Sequence, residues 1–197
     1  MQLCAHTAHV AVDPGTGNVE LIGYVAVEDV GRIINPTMLC GQIVGAVVQG
    51  LGGTLLEQLA YDDEGQLLSG PLADYLLPSA SDFPQIRTFV MEAHPSPFNP
   101  VGAKGAGEGG VIPVGGVIAN AVASALGSLN IHPRELPLSP TQIWQLIEAS
   151  RQLRKPTRHI DPAALRRAQR EATELRCQRC SSDIETPAAN DRSTSGC

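Results

Sequence analysis

The sequence predicts an α+β fold, a mixed sheet with helices packed against it, built as part of a larger domain rather than as a freestanding unit. Three observations carry that expectation. Two strand-like runs flank a turn-forming segment, a long helical run is punctuated by glycine, and a third strand-like run leads through a glycine-rich loop into an apolar helix.

In residues 6–12 polar and apolar side chains alternate, residues 13–18 (DPGTGN) are turn formers, and residues 19–30 are again apolar and β-branched, which predicts a β-hairpin. Asn35-Pro36 reads as a helix start, a capping residue followed by proline at the first helical position. Met38, Gln42, Ala46, Gln49 and Leu55 follow at helical spacing and carry the expected helix to Leu59. Gly41, Gly45, Gly50, Gly52 and Gly53 interrupt it. Each costs about 1 kcal/mol of helix propensity relative to alanine, so their concentration predicts close approach by another backbone or by a ligand.

Residues 61–65 read as a turn, 66–70 as a short extended piece, and 71–84, with its prolines, as an irregular surface segment. Residues 86–94 (IRTFVMEAH) predict a strand. Beyond the loop 101–110, residues 111–129 predict a helix of small apolar residues, buried on most of its circumference. Ser139-Pro140 caps a last amphipathic helix with Ile143, Trp144, Leu146 and Ile147 on its apolar positions. The composition changes after Ser150. Residues 1–150 are therefore assigned to the body and 151–197 to a basic appendage, a short helix from Asp161-Pro162 followed by a disordered stretch from Cys177 onward.

The chain has 197 residues, of which 43% are hydrophobic and 17% charged, enough apolar material for a sizeable core. Its net charge of −6 is uneven: residues 1–150 hold 4 basic against 14 acidic side chains, and residues 151–197 hold 10 against 6. An acidic body argues against nucleic acid as a partner. Polar residues interrupt every apolar run before the ~18–20 needed to cross a bilayer, so no membrane span is expected. Residues 1–7 have no basic flank followed by an apolar stretch, so no secretory signal is expected either, and a cytoplasmic location with free thiols is the default.

The densest chemical signal is residues 100–110 (PVGAKGAGEGG). From Lys104 to Gly110, seven residues hold four glycines and one carboxylate, so backbone can approach a bulky ligand while Glu108 is presented to it. The spacing fits neither a P-loop nor a dinucleotide fingerprint, and an acid sits where a phosphate would be repelled. Composition by itself leaves two readings open, a ligand-facing acid or a surface turn with a solvated Glu108.

Four segments bear on that choice: VEDVGRIINP at 27–36, GQIVGAVVQGLG at 41–52, DYLLP at 74–78 and KGAGE at 104–108. In order and spacing they resemble the second molybdopterin-binding region of the large subunit of molybdenum hydroxylases, the xanthine dehydrogenase/aldehyde oxidase family, and the resemblance spans roughly residues 5–150. It implies that the chain is the C-terminal part of a molybdenum-cofactor-binding domain, whose first cofactor-binding region lies elsewhere. It also implies oxidative hydroxylation of an aldehyde or an N-heterocycle. The expected cofactor is molybdenum-molybdopterin, in its plain or cytosine dinucleotide form. The expected partners are the N-terminal part of the large subunit, an iron–sulfur subunit with 2Fe-2S clusters and an FAD subunit, besides the small-molecule substrate.

Carried over onto this sequence, Glu108 falls on the family's Gly-Glu and is implied to be the general base, accepting the proton of the hydroxyl group that attacks an electron-poor carbon. Gln42 falls on the glutamine of the Gly-Gln motif, where a primary amide suits the mixed polar edge of a pterin. Lys104, Gly105 and Gly107 are implied to line the cofactor, Lys104 as a contact to its phosphate. Gln49 is weaker and reads equally as a packing residue of its helix.

Other residues carry less. Cys177 and Cys180 make a single CxxC, which lacks the four ligands of a structural zinc unless His159 or Cys197 joins it, so no metal site is assigned. His6 and His9 lie in an expected strand and read as structural. Asp62, Asp63 and Glu64 form a turn. Two further functional classes stand beside the enzyme reading: a non-catalytic remnant, and a nucleotide-binding module that uses residues 105–110 without molybdenum.

Overall fold

The computed structural model describes residues 3–154 and Arg167. The chain divides into two compact units, Met1–Arg154 and Lys155–Cys197. The expected tail helix, the Cys177 and Cys180 pair, His159 and Cys197 all lie outside the described residues.

The first unit opens with the expected hairpin. Strand β1 (Leu3–Val12) pairs antiparallel with β2 (Val19–Asp29), from Leu3 opposite Asp29 to Val12 opposite Val19, with an irregularity between His9 and Val10. Asp13 ties the turn: its Oδ1 accepts the Gly15 N–H at 2.8 Å and its Oδ2 accepts the Thr16 hydroxyl at 2.7 Å. These two donors hold the Asp13 carboxyl below the usual aspartate range, the Gly15 N–H contributing most. Gly17 sits at φ +76°, where a side chain would run into the backbone of Pro140.

Helix α1 (Pro36–Leu55) starts where its cap predicts, with the Asn35 side chain accepting the Met38 N–H at 3.1 Å and proline in the first turn. It stops short of Leu59. The Leu56 and Glu57 N–H groups both turn back onto the Gly52 carbonyl at 2.9 Å, which ends the helical ladder just after the Gly52-Gly53 pair. Ile43, Val47 and Leu51 are fully buried along one side of α1. By length and composition α1 is apolar enough to cross a membrane, contrary to the expectation that polar residues break every such run. Its interruptions are glutamines, not charges, and its apolar side is spent in the core against the sheet and the next helix.

Strand β3 (Ile86–Met91) lies parallel to β2, from Ile86 beside Tyr24 to Met91 beside Asp29, so the sheet has order β1-β2-β3 and is mixed as expected. A parallel neighbour needs a long crossover, and α1 with the irregular segment after it supplies one. Helix α2 (Val114–Ala125) packs on β1 and α1. The glycines of α1 have two different surroundings. A Cβ on Gly50 would lie 2.7 Å from Val114 Cγ2, so this glycine admits α2, whereas Gly41, Gly45 and Gly53 have nothing within 4 Å of such a Cβ.

Helix α2 is shorter and less enclosed than the sequence suggests. Only Val114, Ile118 and Val122 are buried, one stripe at four-residue spacing continued by Leu126, and a 3-10 turn over Gly127–Leu129 follows in place of more α-helix. Val117 and Ala119 beside the stripe are partly buried against the core, and Gly116, Asn120, Ser124 and Ala125 are exposed. Helix α3 (Pro140–Arg154) buries Ile143 and Ile147, with the Ser139 hydroxyl oxygen accepting the Gln142 N–H at 3.4 Å. Trp144, expected on the apolar side, is 43% exposed. It lies one position beyond Ile143, about 100° round the helix, which turns it off the buried stripe.

Candidate active site

The glycine-rich loop is hung from the end of β2. Gly31 and Ala103 form an antiparallel bridge, in which the Lys104 N–H donates to the Val30 carbonyl at 2.8 Å and the Arg32 N–H donates to the Gly102 carbonyl at 3.1 Å. The bridge needs glycine on both sides: Gly31 at φ +60° has the Gly102 carbonyl where a Cβ would stand, and Gly102 at φ +77° faces the Pro95 ring. Asn99 closes the turn before it. Its Oδ1 accepts the Gly102 N–H at 2.7 Å and the Ala103 N–H at 3.2 Å, and its amide donates to the Ala103 carbonyl at 2.9 Å.

Lys104 turns inward. Its Nζ lies 2.6 Å from Asp29 Oδ2, with only 10% and 8% of the two side chains exposed, so the ammonium has its counter-ion within the chain. Asp29 Oδ1 also accepts the Gly31 N–H at 3.1 Å. The Lys104 hydrogen bond, and after it the Gly31 N–H, hold the Asp29 carboxyl below the usual range. Neither Asp29 nor Asn99 is singled out by sequence reasoning. The signal available was the acidic pair Glu28-Asp29 closing an apolar strand, and an asparagine immediately before a proline, a strong turn former.

Further along, the loop meets α1. The Gln42 amide donates to the Gly107 carbonyl at 2.8 Å across 65 residues of sequence, which brings two of the expected site residues together at the peptide preceding Glu108. Gly110 then lies so close to α1 that a Cβ there would be 2.8 Å from the Ile43 carbonyl oxygen and 2.8 Å from Ala46 Cβ. Between these anchors Gly105, Gly107 and Glu108 are exposed, and a Cβ on Gly105 or Gly107 would meet nothing within 4 Å. The Glu108 carbonyl accepts the Val111 and Ile112 N–H groups at 3.1 and 3.3 Å, opening the turn that leads into α2. On its sheet side the loop borders an apolar recess of about 220 Å³ lined by Val30, Ile33, Leu39, Ala103 and Ala106.

The remaining candidates lie apart from this cluster. Gln49 is exposed on α1 about two turns beyond Gln42. His6 is internal: its Nδ1 is 2.9 Å from the Tyr24 hydroxyl, its Nε2 3.8 Å from Glu28 Oε1, and the His6 and Tyr24 rings meet edge to face. Burial first, then the neighbouring Cys4 and Glu28, push the Tyr24 phenol up. His9 is exposed. Asp62 Oδ1 accepts the Glu64 and Gln66 N–H groups, so its acidic run is a turn. Among the described residues Cys4 and Cys40 are free thiols, and no cluster of three or more His, Cys, Asp or Glu side chains has metal-site geometry. A larger cavity of about 630 Å³ lies at the opposite end of α1, between Leu56 and Gln142, and contains none of the expected site residues.

Two anchored motifs thus frame an exposed carboxylate and open glycine backbone, and comparison with known proteins gives the chain its family. A molybdopterin cofactor-binding domain matches residues 1–84. The chain is 43% identical over 135 residues to the gamma subunit of the 6-hydroxypseudooxynicotine dehydrogenase complex of Paenarthrobacter nicotinovorans, covering 68% of this chain and 17% of that one. It is 36% identical over 135 residues to the aldehyde oxidoreductase molybdenum-binding subunit PaoC of Escherichia coli, covering 68% and 18%. Among solved structures, quinoline 2-oxidoreductase from Pseudomonas putida superimposes with a TM-score of 0.70 at 40% identity, over 73% of this chain and 18% of that one. The chain belongs to the molybdopterin-binding region of the molybdenum hydroxylase large subunits, the family of xanthine dehydrogenase, aldehyde oxidoreductase and carbon monoxide dehydrogenase. It spans about a sixth of the length of these curated relatives.

Proposed function

We propose that this chain supplies the general base and one wall of the cofactor site of a molybdenum hydroxylase, acting together with the further large-subunit region that its relatives carry. The observation that supports this reading most is the Gln42 to Gly107 hydrogen bond, which joins the Gly-Gln motif to the loop that presents Glu108.

Molybdopterin suits the residues present. Gly105 and Gly107 leave their backbone open where a side chain would otherwise stand. Gln42 spends one N–H on Gly107 and keeps a second N–H and its carbonyl oxygen for the polar edge of a pterin. Gln42, Gly105 and Gly107 would therefore hold the cofactor from this side. When bound, it supplies the two-electron acceptor for the hydroxylation.

The chain's own contribution is protonic and positional. Glu108 takes the proton from the hydroxyl group that attacks the electron-poor carbon, and Gln42 fixes the peptide from which that carboxylate projects. An N-heterocycle is the favoured substrate class, with an aldehyde second, because the 43% and 40% identical proteins are named for a nicotine derivative and for quinoline, and the aldehyde oxidoreductase stands at 36%. The reading extends to iron–sulfur and FAD subunits as electron carriers, to a cytosine dinucleotide form of the cofactor, to a body over residues 1–150 with an appended tail, and to a cytoplasmic location.

The test is molybdenum and pterin content of the chain alone and of the assembled complex, together with Glu108→Gln in the latter. Molybdenum that appears on assembly, and turnover that falls by about 10²–10⁴ with metal content retained, is the expected pair of results. Parent-like turnover in Glu108→Gln removes Glu108 from the mechanism, and a complex without molybdenum removes the cofactor.

A further inference from the structure

We infer that Lys104 is a positioning residue whose ion pair with Asp29 latches the Glu108 loop onto the end of β2, its charge being used inside the chain rather than on a cofactor phosphate. This inference rests on the reading of Glu108 as the base, and it concerns how that base is held.

The loop has two kinds of anchor. Downstream of the glycines, Gln42 holds the Gly107 carbonyl and Gly110 is wedged against α1. Upstream, once β3 has left the sheet, the loop is attached just past the end of β2 by the isolated bridge between Gly31 and Ala103. A lone bridge exposes its hydrogen bonds to fraying, since no neighbouring ladder supports it. The Lys104 to Asp29 contact, at 2.6 Å with both side chains about nine-tenths buried, lies beside that bridge and joins the same two segments. Asp29 ties both sides together, because its other oxygen accepts the Gly31 N–H. Charge-assisted hydrogen bonds of this kind are stronger than neutral ones and directional.

Between the anchors run Gly105, Ala106 and Gly107, a segment with little conformational preference of its own. Its ends decide where Glu108 stands. A lysine engaged in this way has its positive charge neutralised at close range, which leaves it poorly suited to attract a phosphate as well. Asp29 sits within VEDVGRIINP and Lys104 within KGAGE, and the latch gives a physical reason for a charge in each.

The test uses the assembled, cofactor-loaded complex with Asp29→Asn, Lys104→Met and the double variant. Asparagine keeps an acceptor for the Gly31 N–H and removes only the charge, and the double variant leaves no unpaired charge buried, so folding is preserved in at least one member of the set. Amide hydrogen exchange at residues 102–104 should accelerate by about tenfold in both single variants, and kcat should fall by a similar factor in both. Molybdenum content should stay at the parent level, and the double variant should be no worse than the more impaired single one. Lys104→Arg should recover part of the protection. Loss of molybdenum in Lys104→Met with retention in Asp29→Asn would overturn the latch in favour of a phosphate contact. Unchanged exchange in both would also overturn it. Glu108→Gln with normal turnover would refute the base, whereas the exchange rates at residues 102–104 decide the latch independently of it.

Discussion

A methyl group added at Gly110 is the smallest change that should move the site without touching its chemistry. Gly110 does not have a positive φ, so alanine is free of backbone strain there and the cost is steric. The new Cβ would stand 2.8 Å from the Ile43 carbonyl oxygen and from Ala46 Cβ, where ordinary contact begins at 3.4 Å, so the loop must retreat from α1 by about 0.6 Å. Neither neighbour is the end of a flexible side chain. Overpacking of this kind costs about 1–3 kcal/mol, and for a chain of this size each kcal/mol lowers Tm by about 2–4 °C. Glu108 lies two residues upstream and moves with the loop. A displacement approaching an ångström lowers turnover by up to about 10²-fold. Gly105→Ala is the matched control, because its Cβ meets nothing within 4 Å. It should melt with the parent yet hold less molybdenum, since its methyl group would occupy the face assigned to the cofactor. Calorimetry and metal analysis on both variants would separate the two effects. If Gly110→Ala melts with the parent, or if Gly105→Ala loses as much stability as Gly110→Ala, the contrast between packed and open glycines is wrong.

Gln42→Ala removes the donor to Gly107, and molybdenum occupancy of the complex should drop before any change in kcat per bound metal; equal occupancy in variant and parent counts against the role. Ile118→Ala empties a fully buried position on the α2 stripe and should cost about 2–5 kcal/mol in urea unfolding, whereas a loss under about 1 kcal/mol would mean that α2 does not pack as described. The Asp29 carboxyl is held below the ordinary aspartate pKa of 3.8, so the stability it confers is fully present above that pH and is lost as pH falls through its lower folded value. The Tm difference between the parent and Asp29→Asn should therefore be flat from about pH 7 to about pH 5 and shrink only below about pH 4. A difference that already declines above about pH 5 would show that another group titrates.

The sequence by itself determined the order and type of the local elements and the family of the chain. Alternation and a DPGTGN turn specify a hairpin wherever they occur, and Asn35-Pro36 writes a helix start that the structure reproduces, because capping and turn chemistry act within a few residues. The glycine-rich loop with one acid and the four ordered motifs pointed to the molybdopterin-binding family before any contact was visible. Only the tertiary structure decided what those residues touch. The end of α1 at Leu55, the single buried stripe of α2 and the half-exposed Trp144 depend on which neighbours arrive from distant parts of the chain, and periodicity carries no record of that. The same holds for the glycines, which look alike in sequence. Gly50 and Gly110 are pressed against a neighbouring element while Gly41, Gly45 and Gly105 are open, a difference set by packing across α1. Gln42 meets Gly107, and Lys104 meets Asp29 across 75 residues, because the sheet and α1 bring both ends of the loop to fixed supports. Spacing along the chain names such residues, but their partners follow from which surfaces the core leaves facing one another.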